Sequence, residues 1–464
     1  MTTHDLVILG SGPAGMAAAA TAVAHGITAV VVDEQPAPGG QIYRSIESTP
    51  LKERRILGDD YWHGKELVDG LDDPRIDYRP GTTLWQLTRQ LEVGLLQGEK
   101  ASMVRARHVI LAHGAMERPF PIPGWTLPGV MTAGSGQILL KSVGLVPSAP
   151  VVLAGCGPLL LLLAVQYLRA GIPIAALLDT TPAGQYRDAL PLLPSALRNV
   201  RTLLKGVGLL AELRRAGVRH VRNVTALEAE GENRLKRVRW QCGNDPEWHC
   251  LTTPLLLLHQ GVVPNTQVTR ALDCAHDWDE RQLAWQPRTD AWLATDVEGV
   301  AVAGDAGGIV GARASAMQGR LAGLGAAIAL GRVSEDETRE EVKRLRRDLA
   351  REAAIRPFLD VLYRPAAHWR LPEDDTLVCR CEEVTAGEIR RMAEQGCRGP
   401  NQTKSFTRCG MGPCQGRMCG LTVSELLADA NGQSVAETGY YRLRPPFKPI
   451  TLGQLATAAE DASE

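Results

Sequence analysis

Cys379-Arg380-Cys381, then 27 intervening residues, then Cys409-Gly-Met-Gly-Pro-Cys414 place four thiols where they can converge on one centre. Thiolates are soft ligands, and four of them satisfy a [2Fe–2S] cluster or a structural zinc ion. Zinc knuckles more often use Cys-x2-Cys pairs, so the Cys-x-Cys and Cys-x4-Cys spacings favour the cluster. Cys379 and Cys381 alternate out of an extended segment, and the glycines between Cys409 and Cys414 let backbone N–H groups turn toward bound sulfur. Thr385-Ala-Gly-Glu388 reads as a capping box that starts a helix just after the first pair. Cys397 and Cys419 fall outside the four-ligand pattern and read as buried apolar thiols.

Chemistry of a second kind sits at the other end of the chain. Leu6–Leu9 reads as a buried strand, Gly10-x-Gly12-Pro13-Ala14-Gly15 as a glycine turn, the alanine-rich run to His25 as a helix, and Thr28–Asp33 as a second strand. One glycine makes the turn, one lets backbone approach a pyrophosphate, and one lets helix and strand pack closely. The helix N-terminus then offers free N–H groups to phosphate. Glu34, 24 positions after Gly10, can bond a ribose diol, with Asp33 the competing choice by one residue. The unit recurs at Val151–Ala154, Gly155-Cys-Gly157-Pro158, an apolar helix and Ile174–Asp179, where Asp179 again stands 24 positions after the first glycine. Two dinucleotide-type βαβ units follow, each with helices covering a parallel sheet. The second lacks its third glycine: Leu160 stands where close packing wants no side chain. NAD, another nucleotide such as ATP, or no ligand all remain open there; Asp179 would favour NAD over NADP.

The first unit and its partners resemble the two-dinucleotide-domain flavoproteins, the glutathione- and thioredoxin-reductase-like superfamily. The resemblance rests on Gly10–Gly15, Pro38-Gly39-Gly40-Gln41, Ala112-His-Gly114-Ala-Met-Glu117-Arg118 and Val302-Ala303-Gly304-Asp305. It implies FAD in the first site, held by Gly10, Gly12, Pro13, Ala14, Gly15, Asp33, Glu34, Gln35, Gly40, Gln41, Ala112, Gly114, Gly304 and Asp305, with Asp305 on the ribityl–phosphate arm. The second site implied is Gly155, Gly157, Pro158 and Asp179. Disulfide reductases of that superfamily carry a cysteine pair beside the flavin; here Cys156, Cys242, Cys250 and Cys274 form no such pair, which argues against disulfide reduction.

The cysteine module resembles the [2Fe–2S] domain of bacterioferritin-associated ferredoxin, with Cys379, Cys381, Cys409 and Cys414 as ligands. Most of the chain resembles a narrower group, the α subunits of heteromeric flavin dehydrogenases: opine oxidase, D-hydroxyproline and L-proline dehydrogenase, and the middle subunit of hydrogen cyanide synthase. The residues that carry it are Asp33–Arg44, Gly124-Trp-Thr-Leu-Pro-Gly129-Val130, His259-Gln-Gly-Val-Val-Pro-Asn265, Arg408–Arg417 and Arg444-Pro-Pro-Phe-Lys-Pro-Ile-Thr451. This resemblance implies a partner FAD-dependent, oxidase-like β subunit that oxidises an amino acid, imino acid or opine, with D-hydroxyproline or an opine favoured. It also allows a small ferredoxin-like γ subunit, together with an FMN shared with a partner. The implied role of this chain is electron transfer. The alternatives are a self-sufficient NADH-dependent FAD/iron–sulfur oxidoreductase and a non-enzymatic iron–sulfur or regulatory protein. No residue makes a convincing substrate base; His4 and His25 read as structural, and His113, before Gly114, is the best minor candidate.

These sites need an α/β scaffold: two Rossmann-like domains plus a small α-rich C-terminal domain. The expected division is 1–118 with 263–332 for FAD, 119–262 for the second nucleotide domain, a helical linker over 333–372, the cysteine domain over 373–432, and a Pro-rich tail over 433–464 that wraps another surface. Glu335 to about Leu362 reads as one charged, solvated helix. With 464 residues, 44% hydrophobic content and 22% charged content, the chain has ample core for about three domains. A net charge of −1 suggests no nucleic-acid or anionic-membrane partner. The first strand begins too early for a signal peptide, and the apolar run Pro158–Val165 is too short to span a membrane. Ten cysteines, six of them after residue 378, fit metal or redox use in a cytoplasmic enzyme, with at most peripheral contact to an electron acceptor.

Overall fold

The computed structural model describes residues 1–460, so the last four residues of the expected tail lie outside the described residues. Apolar strands with no polar alternation, such as Leu6–Leu9 and Val30–Val32, can be covered only by helices on both faces of a parallel sheet. The first sheet orders Ile76–Arg79, Ala29–Val32, Thr3–Leu9 and Lys100–Leu111, with Val300–Val302 parallel to Val109–Leu111 at its far side. The N-terminal half of Lys100–Leu111 also pairs antiparallel with Glu92–Gln97, which pairs with Thr82–Leu87. Helix Pro13–Ala24 is built of alanine because helix Ala312–Ala329 crosses it at backbone contact. A Cβ on Gly319 would stand 2.0 Å from the Ala14 carbonyl oxygen.

The second glycine unit heads a five-stranded parallel sheet in the order His220–Val221, Ile174–Asp179, Val151–Cys156, Leu256–Gln260, Val130–Thr132. A three-stranded antiparallel sheet with the fully buried Trp240 packs beside it. The two domains are joined by the short antiparallel pair Ala115–Glu117 and Val262–Pro264. Helices over 183–215, including the 16-residue Val200–Arg215, had no counterpart in the sequence reading. They fill the span between Ile174–Asp179 and His220–Val221.

The expectation of one charged helix is corrected to two, Glu335–Ala353 and Arg356–Leu362. Pro357 has no N–H to donate to the preceding turn, so the helix stops and restarts with that proline in its first turn. The first helix is not wholly solvated either: Val342 and Leu345 pack on Leu321 and Leu324.

Beyond it, antiparallel strands Leu377–Cys379 and Val384–Thr385 and helices Ala386–Glu394, Pro400–Thr407 and Gly420–Asn431 enclose a core of Val378, Ile389, Val423, Leu426 and Leu427. This module is anchored to the second domain by the Trp125 indole N–H on the Leu377 carbonyl at 2.7 Å, and to the linker by the Arg370–Glu425 ion pair. The Pro-rich tail runs back along the first domain. Phe447 inserts among Leu87, Val93 and Leu95, and the Ala101 N–H donates to the Thr457 hydroxyl at 2.8 Å. Among the described residues no helix is long and apolar enough to cross a membrane.

Candidate flavin site and metal centre

At the first glycine turn, Pro13 occupies the first turn of helix Pro13–Ala24 and no side chain caps that helix, so its N–H groups are left for a ligand. A Cβ on Gly15 would lie 1.8 Å from the Gly10 carbonyl oxygen, which brings helix and strand to backbone contact. Gly12 faces Gly40, and a Cβ there would meet only the Gly40 Cα at 3.8 Å, so the ground above the helix end is open backbone. These are the features of a pyrophosphate cradle, and they fit the phosphates of FAD.

The two carboxylates that competed for the ribose divide the work. Asp33 accepts from the Ser11 N–H and hydroxyl, both at 2.7 Å, and from the Gln35 N–H at 2.8 Å, so it holds the turn in shape. Glu34 stands at the rim and pairs with Lys448 of the tail at 2.9 Å. Ala112 follows the end of the neighbouring strand, and Gly114 comes next but one at φ +67° with open space where a side chain would be. Asp305 accepts from the Val310 and Gly311 N–H groups at 2.8 and 2.9 Å, just ahead of helix Ala312–Ala329, while the Gly304 N–H donates to Gln318. The structure therefore gathers the N-terminal glycines, Gly40, Gly114 and Asp305 around one end of one sheet. His113 is less suited to base catalysis: its Nε2–H donates to the Asn265 carbonyl at 2.7 Å, and burial pulls its pKa down to about 4.

One residue the sequence reading missed is Lys141. Its buried ammonium donates to the carbonyls of Gln41 and Ile42 at 3.1 and 2.9 Å and to the Gln137 amide oxygen at 2.9 Å. It thereby fixes the Gly39-Gly40-Gln41 segment from the second domain.

The second glycine turn is built differently. Gly155 is pressed against the His259 carbonyl, and Leu160 is buried in the shared core. Asp179 accepts from the Thr181 N–H at 2.9 Å and lies 3.4 Å from the His220 imidazole, so this carboxylate is not free for a ribose. The Cys156 thiol in the turn donates to Gln260 and to the Tyr363 carbonyl at 3.1 and 3.4 Å, which draws the linker over the turn. Gly157, followed by Pro158, faces the His259 imidazole, whose Nδ1 is bonded to Glu117 at 2.6 Å. His259 and Glu117 stand 142 positions apart in the chain, and only their place in family-like motifs marked them in sequence.

At the far end, Cys379, Cys409 and Cys419 bring their Sγ atoms within 4.8 Å of one another, all buried. Cys409 and Cys419 are 3.9 Å apart. Cys419, read from sequence as a bystander, thus joins two of the expected ligands. The other two, Cys381 and Cys414, face each other: backbone and thiol of Cys414 both bond to Cys381, while burial raises the Cys381 pKa. Hydrogen bonds from Cys409 and then Cys419, with the Gly410 and Glu382 N–H groups, hold Cys379 down to about 2; the same bond pushes Cys409 up to about 12. A glycine is required at 412, because a Cβ there would stand 2.2 Å from the Cys381 Cβ. The Tyr441 hydroxyl is buried beside this group, facing the Cys409 thiol. Three converging thiols, the nearby Cys381–Cys414 pair and directed N–H groups suit a soft metal centre and fit an iron–sulfur cluster.

The pyridine nucleotide-disulphide oxidoreductase model matches residues 4–319, and the sarcosine oxidase A3 domain model matches residues 373–459. The chain is 43% identical to an opine oxidase subunit of Rhizobium meliloti over 98% of this chain and 87% of that protein. The chain belongs to this family of flavin oxidoreductase subunits. Within the family it is also 31% identical to hydrogen cyanide synthase subunit HcnB of Pseudomonas protegens, over 99% of this chain and 98% of that protein. Among solved structures, L-proline dehydrogenase from P. horikoshii shares the fold, with a TM-score of 0.69 and 20% identity over 98% of this chain and 79% of that one. Thioredoxin reductase of T. acidophilum matches over a smaller part, with a TM-score of 0.52 and 18% identity over 71% of this chain and 99% of that one.

Proposed function

We propose that this chain is the FAD- and [2Fe–2S]-containing electron-transfer subunit of a multi-subunit dehydrogenase or oxidase, with an amino acid, imino acid or opine oxidised on a partner subunit. The observation that carries the reading is the coexistence, in one chain, of an open pyrophosphate cradle and a group of three converging buried thiols, with Cys381 and Cys414 paired in the same module. The names of the relatives, the opine oxidase subunit of Rhizobium meliloti and HcnB, support a heteromeric assembly and a nitrogen-bearing substrate. D-Hydroxyproline and opines are the favoured substrates, an oxidase-like β subunit the favoured partner, and the cytoplasm the favoured compartment.

FAD and the cluster would together let electrons arriving in pairs leave singly. The chain's own residues prepare for that exchange. The N-terminal N–H groups of helix Pro13–Ala24 would bind the phosphates, Asp33 keeps the glycine turn in shape, and Glu34, paired with Lys448 at the rim, would be the carboxylate offered to a ribose. Asp305 orders the Val310–Gly311 turn beside the flavin arm. His113 stays neutral and donates its one proton to Asn265, so it holds backbone rather than moving substrate protons. Cys379, Cys381, Cys409 and Cys414 would hold the cluster, with the Cys419 thiol beside those of Cys379 and Cys409. The engaged Asp179 and the linker over Cys156 disfavour NADH as electron donor.

The test adds NADH, and separately a panel of opines, D-hydroxyproline and L-proline, to the purified chain and to the complex purified natively from its source. Flavin bleaching by one of the amino or imino acids in the complex, and by none of the additions in the isolated chain, is expected. Rapid bleaching of the isolated chain by NADH would overturn the reading in favour of a self-sufficient NADH oxidoreductase.

A further inference from the structure

The contact between the first domain and the cysteine module contains a positive charge with no counter-ion among the described residues. Arg270, on helix Gln267–Ala271, places its guanidinium 4.6 Å from the Trp285 ring centroid and 4.6 Å from that of Tyr440. Its Nε and Nη2 are sealed from solvent and have no hydrogen-bond partner among the described residues. Nearby carboxylates are engaged elsewhere: Asp277 pairs with Arg288, and Asp296 accepts from the Ala275 N–H. His276 is kept neutral by burial, which pulls its pKa down to about 4. Stacking on two aromatic faces compensates part of the cost of burying a guanidinium, but an acceptor or opposite charge is the usual remedy.

The second ring of the stack shows where that charge would come from. Tyr440 belongs to the module: its ring packs on the core that contains Cys379, Cys409 and Cys419, and its hydroxyl donates to the Gly416 carbonyl at 3.3 Å. Arg270, Arg417 and the thiols of Cys419 and Cys414 all lie near enough to act on it electrostatically. The interface is held in register nearby, where the Gln267 amide N–H donates to the Gln415 carbonyl at 3.3 Å. A small cavity lined by Asn265, Gln267, Trp285, Arg417 and Tyr440 lies between the flavin-side motif and the cysteine loop.

We propose that Arg270, clamped between Trp285 and Tyr440, is the fixed counter-charge of the cysteine-held cluster and a positioning residue for electron transfer from the flavin. Reducing the cluster by one electron, drawn from the reduced flavin, makes it more negative by one charge. A fixed cation across Tyr440 favours that reduced form and raises the cluster's reduction potential. The proposal rests on the cluster reading above, and the experiment separates the two.

The full chain is purified as wild type and as Arg270→Gln, Arg270→Met and Arg270→Lys. Iron is measured, and the cluster is titrated at equilibrium by electron paramagnetic resonance of its reduced form. In Arg270→Gln the reduced-to-oxidised ratio at a given potential is expected to fall about tenfold, a shift of about 59 mV for one electron. Arg270→Met, whose apolar chain still fills the slot between the rings, should shift in the same direction, and Arg270→Lys should stay near wild type. Iron-replete Gln and Met variants with the wild-type midpoint would overturn the proposal and leave the stack as packing alone. Wild-type protein that holds no iron would instead overturn the cluster reading and the proposal with it.

Discussion

Cys379 and Cys409 are common to both groupings of thiols, so the ligand set turns on Cys414 against Cys419. Cys381 faces Cys414, and the glycine at 412 leaves room for Cys381, so a four-thiolate site that includes Cys381 favours Cys414 as its partner. Cys419 precedes the first turn of helix Gly420–Asn431 and is fully buried, which suits a packed thiol. Cys414→Ser is therefore expected to reduce bound iron to less than about a tenth and to abolish the visible cluster absorbance, with FAD retained. Cys419→Ser should keep most of its iron. Iron analysis and absorbance spectra of the two variants decide the matter, and the reverse pattern would transfer the fourth ligand to Cys419. Sequence spacing pointed to the segment where the thiols gather, because Cys379, Cys381, Cys409 and Cys414 lie within two short motifs. It ranked Cys414 above Cys419 by motif alone, whereas the fold brings the Cys419 thiol beside those of Cys379 and Cys409, because both residues lie within ten positions of Cys409 and only the fold decides which way each thiol faces.

Between elements, the flavin segment is tied to the second domain through buried polar groups. Lys141 on helix Ala133–Val143 binds Gln41, Ile42 and Gln137; Gln137 donates to Gln166 at 2.9 Å, and Gln166 donates to the Leu57 carbonyl at 3.1 Å. Lys141→Met would deprive the half-buried Gln41 and Ile42 carbonyls and the buried Gln137 amide oxygen of this donor, at a cost of about 1–3 kcal/mol in stability. Because the freed segment includes the Gly40–Gln41 side of the cradle, FAD affinity should fall about tenfold or more, as read by flavin release on dilution and by thermal melting. An unchanged affinity with lowered melting temperature would make Lys141 a purely structural tie. The βαβ units themselves were legible, because strand, glycine turn, helix and acidic residue are all local patterns. Lys141 and the Glu117–His259 pair were not, since each acquires its role only when distant segments meet. The break at Pro357 was legible in principle, and the run of charges over 335–353 concealed it.

At the scale of the whole molecule, the buried His108 and the half-buried His113 and His276 contribute to its response to acid. Burial, first among the causes in each case, pulls His108, His113 and His276 down to about 4. An unfolded histidine titrates near 6.5, so between about pH 6.5 and 4 the unfolded chain binds more protons at these positions than the folded chain does. Stability therefore rises with pH across that window; the contribution is fully present above about 6.5 and is lost as pH falls toward 4. Each such group is worth up to about 3 kcal/mol on this linkage. His108 lies in the first sheet, opposite Leu6. His113 and His276 lie toward the interface with the cysteine module, where they flank the motifs that meet Arg270. Acidification is thus expected to loosen the first domain and its contact with the module together, with the melting temperature falling steeply from pH 6.5 to pH 5. His108→Asn removes one imidazole that contacts neither site, and it should flatten that fall measurably while leaving the absorbance of both chromophores unchanged at pH 7.5. A melting curve for His108→Asn with the same slope between pH 6.5 and 5 as the wild type would show that His108 does not control the acid response, and the weight would pass to His113 and His276.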